Sequence, residues 1–267
     1  MAKTGIVINH CIKGSETVLY NLRDVFNHSE IDFDELDLES LKGGYDFICS
    51  IGGDGTMLKT LRYYSKTGTP VMGVNIGRLG FLSLISPEQV KDLGDIIKNK
   101  EYSVKDRIML KTSDKTALND IVIKGHSTVR SSKFNLYING TLMSEYIADG
   151  IIVATPTGST AYGLSAGGPI LYPGLEGIVI VPICAHTMTA RPLVIPIDEK
   201  LTIKSTDELL DVSCDGQENI IGVNEVNIEL SEYKAKLALP KDVDFYSVLK
   251  NKLYWGMSPV SDADKYI

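Results

Sequence analysis

Asp54 lies in the run Gly52-Gly53-Asp54-Gly55-Thr56, after a short apolar segment and before a helix-like one. Three glycines let the backbone turn sharply and approach a ligand without a Cβ in the way. Backbone N–H groups there, with the start of the following helix, suit a phosphate. A carboxylate beside that anion is costly unless it handles a proton or a metal. Asp54 is therefore the candidate general base for a hydroxyl, or a ligand of Mg²⁺. Glycines alone would read as a plain strand-to-helix turn; Asp54 and Thr56 in this context argue for phosphoryl transfer.

Two further segments offer groups for a sugar and a base. Asp149-Gly150 opens a buried-strand pattern that leads into Thr155-Pro156-Thr157-Gly158-Ser159-Thr160-Ala161-Tyr162-Gly163-Leu164-Ser165-Ala166-Gly167-Gly168-Pro169. Its hydroxyls and glycine backbones suit ribose and phosphate oxygens. Tyr162 brings an aromatic face and a polar tip. Asp149 can accept from an amide or from ribose hydroxyls. Long loops without a function are uncommon. The third segment is Asn119-Asp120. Its carboxylate fits a ribose cis-diol by accepting two hydrogen bonds, and its amide can read an adenine edge. Taken alone, Asn-Asp is also a common turn.

Together these segments resemble the NAD kinase family. The Gly-Gly-Asp-Gly-Thr run is shared with diacylglycerol and sphingosine kinases, and phosphofructokinases carry a related form, so by itself it implies phosphoryl transfer and no particular substrate. The Thr155–Pro169 string is closely similar to the NAD kinase loop that lines the dinucleotide site. Weaker likenesses accompany it. Gly77-Arg78-Leu79-Gly80-Phe81-Leu82 resembles the family's Gly-x-x-Gly-Phe loop, in which Phe81 closes over a base or packs in the core. His186 to Leu193 resembles a segment whose histidine is structural and whose arginine, here Arg191, is an internal ion-pair partner. Ser213-Cys214-Asp215-Gly216-Gln217 resembles a turn whose glutamine reaches the ligand. Lys59 and Arg130 fall where the family places basic or polar contacts, with a solvated surface charge as the plainer reading.

The resemblance implies transfer of a phosphoryl group from ATP, another triphosphate or polyphosphate to the 2′-hydroxyl of the adenosine ribose of NAD, giving NADP. Asp54 is the implied catalytic residue. Substrate contacts are expected from Gly52, Gly53, Asp54, Gly55, Thr56, Lys59, Phe81, Asn119, Asp120, Arg130, Asp149, Thr157, Thr160, Ala161, Tyr162, Gly163, Leu164, Ser165, Cys184 and Gln217. A divalent ion, Mg²⁺, and a homodimer or homotetramer are also implied. The likeness runs from about residue 45 to 220. One position departs from it: two residues before Asp149, where many members carry Lys or Arg, stands Ile147.

Holding these residues takes two kinds of fold. Up to about residue 100, strand and helix patterns alternate. Gly5–Asn9, Tyr45–Ile51 and Val71–Asn75 read as strands, and Thr56–Tyr64 as a helix. Another helix is expected over Glu16 to Asn27, capped by Ser15, with Val18, Leu22, Val25 and Phe26 on one face. Ser86-Pro87-Glu88-Gln89 carries a capping box for a helix reaching about Lys98. Strands separated by helices predict a parallel α/β sheet. Beyond residue 101 the period changes to two. Phe134, Leu136 and Ile138 alternate before Asn139-Gly140, a hairpin signal. Strands are expected at Gly150–Ala154, Leu193–Ile197, Leu201–Lys204, Leu209–Ser213 and Val226–Leu230. The expectation is an α/β N-terminal domain over 1–100 and a β-rich, sandwich-like domain over 101–240. A helical 241–267 segment would pack back on the first. Asp54 would then meet the Asn119 and Tyr162 loops where the domains join.

The chain of 267 residues is long enough to bury a core without staples. Its net charge of -7 argues against a nucleic-acid partner, which needs a basic face. No apolar run approaches a membrane span and no leader pattern opens the chain. Cys11, Cys49, Cys184 and Cys214 lack metal-ligand spacing and read as reduced core thiols. A cytoplasmic protein is expected. Two rivals stay open. A lipid kinase would show a basic or amphipathic membrane-facing segment, and none is visible. A non-catalytic dinucleotide sensor would keep the Thr157–Ser165 loop and could dispense with Asp54.

Overall fold

The computed structural model describes residues 3–77, 80–127, 131–186, 188–241 and 243–254. In chain order the first elements are β1 (Thr4–Ile8), α1 (Ser15–His28), β2 (Phe33–Asp37), β3 (Phe47–Ile51), α2 (Asp54–Ser65) and β4 (Val71–Val74). Then come β5 (Ser83–Ile85), α3 (Leu93–Lys98), β6 (Tyr102–Arg107), β7 (Leu110–Thr112), β8 (Lys115–Ala117) and β9 (Asp120–Gly125). A hairpin of β10 (Ser132–Ile138) and β11 (Thr141–Ala148) leads to β12 (Gly150–Ala154) and α4 (Tyr162–Ser165). Next are β13 (Gly177–Ile183), β14 (Leu193–Pro196), β15 (Leu201–Ser205) and β16 (Leu210–Cys214). The chain closes with β17 (Glu218–Val223), β18 (Glu225–Leu230), β19 (Ala235–Pro240) and α5 (Phe245–Leu253).

The chain divides into two compact units. One comprises Met1–Thr60, Thr69–Lys105 and Leu237–Ile267; the other comprises Leu61–Gly68 and Asp106–Lys236. The last turn of α2 is thus counted with the second unit.

The first unit is built on a sheet in the order β2-β1-β3-β4-β19-β6, with β5 beside β4. The pairs among β1 to β5, and that of β19 with β4, are parallel. β1, β3 and β4 are buried throughout, as sheet-interior strands covered on both faces must be. Helix α1 buries Ser15, Val18, Leu19, Leu22 and Phe26. Leu19 joins the expected stripe, and Val25 packs partly buried against the same core. The expected Ser15 cap is not there. Gly14 caps the helix in a left-handed conformation, φ 93°, and Ser15 is the first helical residue, its Oγ buried without a partner among the described residues. The Ser86–Gln89 capping box is present, but its helix opens as a 3-10 turn before α3.

The second unit is a sandwich of two antiparallel six-stranded sheets. Their orders are β11-β10-β15-β18-β7-β8 and β14-β13-β12-β9-β16-β17. Inward residues of both, among them Phe134, Leu136, Ile203, Val226, Ile121, Ile123, Val153 and Val212, form one core. Asn139 and Gly140 both have positive φ, 49° and 80°, as a two-residue type I′ turn demands. Two of the four cysteines are not core thiols. Cys49 and Cys214 are buried, and burial pushes each thiol up to about 12, whereas Cys11 and Cys184 are exposed. Among the described residues no helix is long and apolar enough to cross a membrane.

Candidate active site

Helix α2 begins at Asp54, two residues earlier than the pattern suggested, because Met57 N–H already bonds back to Gly53 C=O. The Asp54 carboxylate turns away to the 81–83 segment. Its Oδ1 accepts from Leu82 N at 3.1 Å, Ser83 N at 3.2 Å and Ser83 Oγ at 3.1 Å. Its Oδ2 accepts, among the described residues, from Phe81 N alone, at 2.9 Å. Oδ1 is saturated, while Oδ2 keeps a lone pair for a hydroxyl proton or a cation. Thr56 is buried and its Oγ1 takes a hydrogen bond from Asn9 Nδ2 at 3.3 Å, which ties the loop to the end of β1. A Cβ on Gly52 would lie 2.3 Å from that Oγ1, whereas none of the described residues lies near one on Gly53. Gly55 is exposed and Phe81 half-buried. Lys59 is drawn to Glu39, 2.6 Å away.

Gly80 makes room for this arrangement. A Cβ there would stand 1.9 Å from Asp54 Oδ1 and 2.7 Å from Ser83 Oγ. We expect Gly80→Ala to displace the carboxylate and lower kcat about 100-fold, the cost of a misplacement near 1 Å. A steady-state assay of the folded variant checks it, and an unchanged kcat would show that the position of Asp54 is not critical.

In the second unit a groove of ≈ 400 Å³ lies over β9, β16 and β17. Asn119, Asp120, Asp215 and Gly216 line one end, with Ala161 and Tyr162 beside them. Val122, Ser213 and Asn219 form the next row across the strands, and Lys124 and Asp211 a third. Of these row residues only Ser213 belongs to a segment that stood out in the sequence; Val122, Lys124, Asp211 and Asn219 did not.

Asp215 builds the near end. Its side chain is fully buried and pairs with Arg62, itself 6% exposed, at 2.8 Å. Three successive N–H groups, of Leu118, Asn119 and Asp120, donate to the same carboxylate at 2.9, 2.7 and 3.2 Å. Arg62 also donates to Gln217 Oε1 at 2.9 Å and lies 3.3 Å from Glu218. The glutamine expected to reach a ligand is engaged with the protein.

Asp120 is 5% exposed. Burial, with the Asp215 carboxylate nearby, pushes its carboxyl up to about 7, against a backbone N–H from Tyr162 that favours the charge. Between the ordinary aspartate value, ~3.9, and about 7 the folded protein keeps a proton that the unfolded chain has lost. Stability therefore falls as pH rises through that window and levels off above it. Asp120→Asn should raise the melting temperature more at pH 8 than at pH 5. An equal change at both pH values would contradict a buried, reluctant charge.

The Thr155–Pro169 loop spends several of its hydroxyls on itself. Thr155 Oγ1 donates to Leu118 C=O at 2.6 Å, Ser159 Oγ to Pro156 C=O at 2.7 Å, and Thr160 Oγ1 to Thr157 C=O at 3.3 Å. Thr157 Oγ1 is buried without a partner among the described residues. Gly163 faces Ala154 and Val181 of the sheet, and Leu164 and Ser165 lie outside the groove lining. Asp149 and Cys184 are not brought to this groove. Asp120 pairs with Ala154, and Asp149 lies five residues earlier on that strand's line, ~16 Å away. Asp149 instead accepts from Ser131 Oγ, which also meets His186 Nε2. Arg191 donates to the carbonyls of Met188 and Ala190 and, among the described residues, makes no ion pair. Arg78, Leu79, Arg130 and Thr187 lie outside the described residues. No group of three or more His, Cys, Asp or Glu side chains among the described residues could hold a metal ion.

Two family models match the chain: the ATP-NAD kinase N-terminal domain over residues 11–102 and the ATP-NAD kinase C-terminal domain over residues 118–239. An NAD kinase of Clostridium botulinum (strain ATCC 19397 / Type A) is 41% identical over 219 residues, 78% of this chain and 78% of its own. One of Legionella pneumophila (strain Paris) is 40% identical over 232 residues, 81% of this chain and 78% of its own. Among solved structures, an NAD kinase from Archaeoglobus fulgidus in complex with ATP superposes with TM-score 0.76 and 27% identity, covering 90% of this chain and 94% of that one. A yeast NADH kinase complexed with NADH gives TM-score 0.84 at 22% identity, over 97% and 89% of the two chains, a likeness of fold.

Proposed function

The chain belongs to the NAD kinase family, and we propose that it transfers the γ-phosphoryl group of ATP to the 2′-hydroxyl of the adenosine ribose of NAD, giving NADP. The observation that carries the mechanism is the Asp54 carboxylate, which four donors among the described residues fix while leaving one acceptor position open on Oδ2. That oxygen accepts the 2′-hydroxyl proton as the new O–P bond forms. The bond from the γ-phosphorus to the β-phosphate oxygen breaks, and ADP leaves. In phosphoryl transfer most of the catalysis is positioning and charge stabilisation, which suits a fixed carboxylate beside a glycine loop.

Asn119 and Asp120 grip the ribose and base, and Ala161 and Tyr162 flank them; these four share the groove. Lys59, Phe81, Thr157, Thr160 and Ser165 are secondary contacts in this reading. Mg²⁺ fits a site with a single carboxylate, since it is commonly held by one or two carboxylates plus substrate phosphates, and it would neutralise phosphate charge. ATP is the donor that the Archaeoglobus relative supports. Likeness to the family supports a cytoplasmic homodimer or homotetramer, which sedimentation would measure.

The test is NADP formation by the purified protein given NAD, ATP and Mg²⁺, read with an NADP-specific dehydrogenase. A parallel arm replaces ATP by inorganic polyphosphate. Turnover with ATP is expected. NAD binding without NADP from either donor would overturn the kinase reading and leave a dinucleotide sensor.

A further inference from the structure

Asn119 and Asp120 are the ribose grip in the reading above, yet neither holds its own position. Leu118, Asn119 and Asp120 point three consecutive N–H groups at the one Asp215 carboxylate, so the chain curls around it. Convergence of successive backbone donors on one anion fixes the local φ and ψ. The Asp215 side chain in turn is fully buried, and its charge is met by the Arg62 guanidinium. Arg62 comes from the last turn of α2, 153 residues away in sequence, and is itself held by Gln217 and Glu218.

We infer that Asp215, held by Arg62, is a positioning residue that sets both the geometry and the charge state of the Asn119–Asp120 ribose grip; the inference rests on the NAD kinase reading. Asp215 does not touch substrate. It acts through the three N–H groups and through its field on the Asp120 carboxylate. The ionised form of Asp120 is the stronger acceptor for a ribose hydroxyl, and the 2′-hydroxyl proton is left to Asp54. NAD affinity then rises with pH until Asp120 is ionised, a midpoint near the value of about 7 that burial gives it. Among the described residues the charged groups facing Asp120 are few. Asp215 is next to it, with Arg62 and Glu218 behind, and Glu218 also meets Lys115 at 3.5 Å. Two rows along the groove stand Lys124 and Asp211, the latter paired with His126 at 3.0 Å.

Two substitutions then move the acid limb of the NAD affinity profile in opposite directions. Asp215→Asn removes the neighbouring negative charge, so Asp120 ionises more readily and the midpoint moves down by about one pH unit. Arg62→Gln leaves Asp215 uncompensated, so its field on Asp120 strengthens and the midpoint moves up by a similar amount. Arg62→Lys keeps a cation and restores the wild-type midpoint. A role limited to folding would lower the melting temperature and maximal activity in all three and leave the midpoint where it was.

The experiment measures KM for NAD from pH 5.5 to 8.5 in wild type and the three variants, with NAD affinity by titration calorimetry alongside. Opposite shifts for Asp215→Asn and Arg62→Gln, with rescue by Arg62→Lys, are expected. Coincident midpoints in wild type, Asp215→Asn and Arg62→Gln would overturn the inference while NADP formation by wild type leaves the kinase reading standing. If Asp215→Asn does not fold, Arg62→Gln against Arg62→Lys decides by the same criterion. Wild-type protein that forms no NADP and binds no NAD would sink the kinase reading and this inference with it; binding without turnover leaves the calorimetric midpoints to decide.

Discussion

Asp54→Asn lowers kcat for NADP formation by about 10²–10⁴-fold while NAD still binds. The substitution keeps size and removes the proton acceptor. The hydrogen bonds predict which way the new amide turns. Its oxygen takes the position of Oδ1, where Leu82 N, Ser83 N and Ser83 Oγ all donate. Its NH₂ then replaces Oδ2, facing Phe81 N–H, donor against donor. The atom left for the substrate hydroxyl is one that cannot accept its proton. The unmet Phe81 N–H should also cost about 1–3 kcal/mol, visible as a lower melting temperature. Three measurements separate these effects: kcat from the coupled assay, NAD affinity by calorimetry, and thermal unfolding. A near-wild-type kcat would remove Asp54 from the chemistry. Loss of NAD binding along with turnover would make it part of the grip instead.

Gly158→Ala is expected to destabilise the protein by about 3 kcal/mol and to raise KM for NAD at least roughly tenfold. A Cβ on Gly158 would stand 2.0 Å from Asn119 O, 2.3 Å from its C and 2.5 Å from its Cα. These are main-chain atoms and cannot rotate away. They are also tied on both sides, since Asn119 N donates to Asp215 and Thr155 N donates to Asn119 C=O at 2.9 Å. The clash is relieved only by lifting the loop off the start of β9, which moves Ala161 and Tyr162 from the groove. Urea unfolding and the NAD dependence of turnover read the two effects. If the unfolding midpoint and KM both stay at wild type, the loop has slack that the contacts deny.

Much of the first unit was legible because its signals are local. A Gly-Gly-Asp-Gly-Thr run after an apolar strand has one economical conformation, and α2 begins within it. Asn139-Gly140 specified its hairpin for the same reason: both residues tolerate positive φ. Misreadings came where local patterns were ambiguous. The stripe of α1 was read without Leu19, which packing buries while Val25 stays partly buried against the same core. β2, with its acidic Phe33-Asp34-Glu35-Leu36-Asp37, has one buried residue and gave no strand pattern strong enough to notice. The hydroxyls of Thr155, Ser159 and Thr160 bond to backbone carbonyls of the protein itself, which residue type alone does not reveal.

The sequence by itself determined the kind of chemistry, the loop that carries Asp54, and the change from alternating helix and strand to β sandwich. Each depends on residues a few positions apart, whose geometry covalent spacing already constrains. Tertiary structure alone decided which polar groups spend their hydrogen bonds inside the protein. Arg62 reads as an ordinary helix cation until Asp215, 153 residues away, is folded against it. Asp120 reads as an ordinary turn acid until β9 and β16 bury it beside a second carboxylate. Charge state depends on burial and on near neighbours in space, and neither can be counted along the chain.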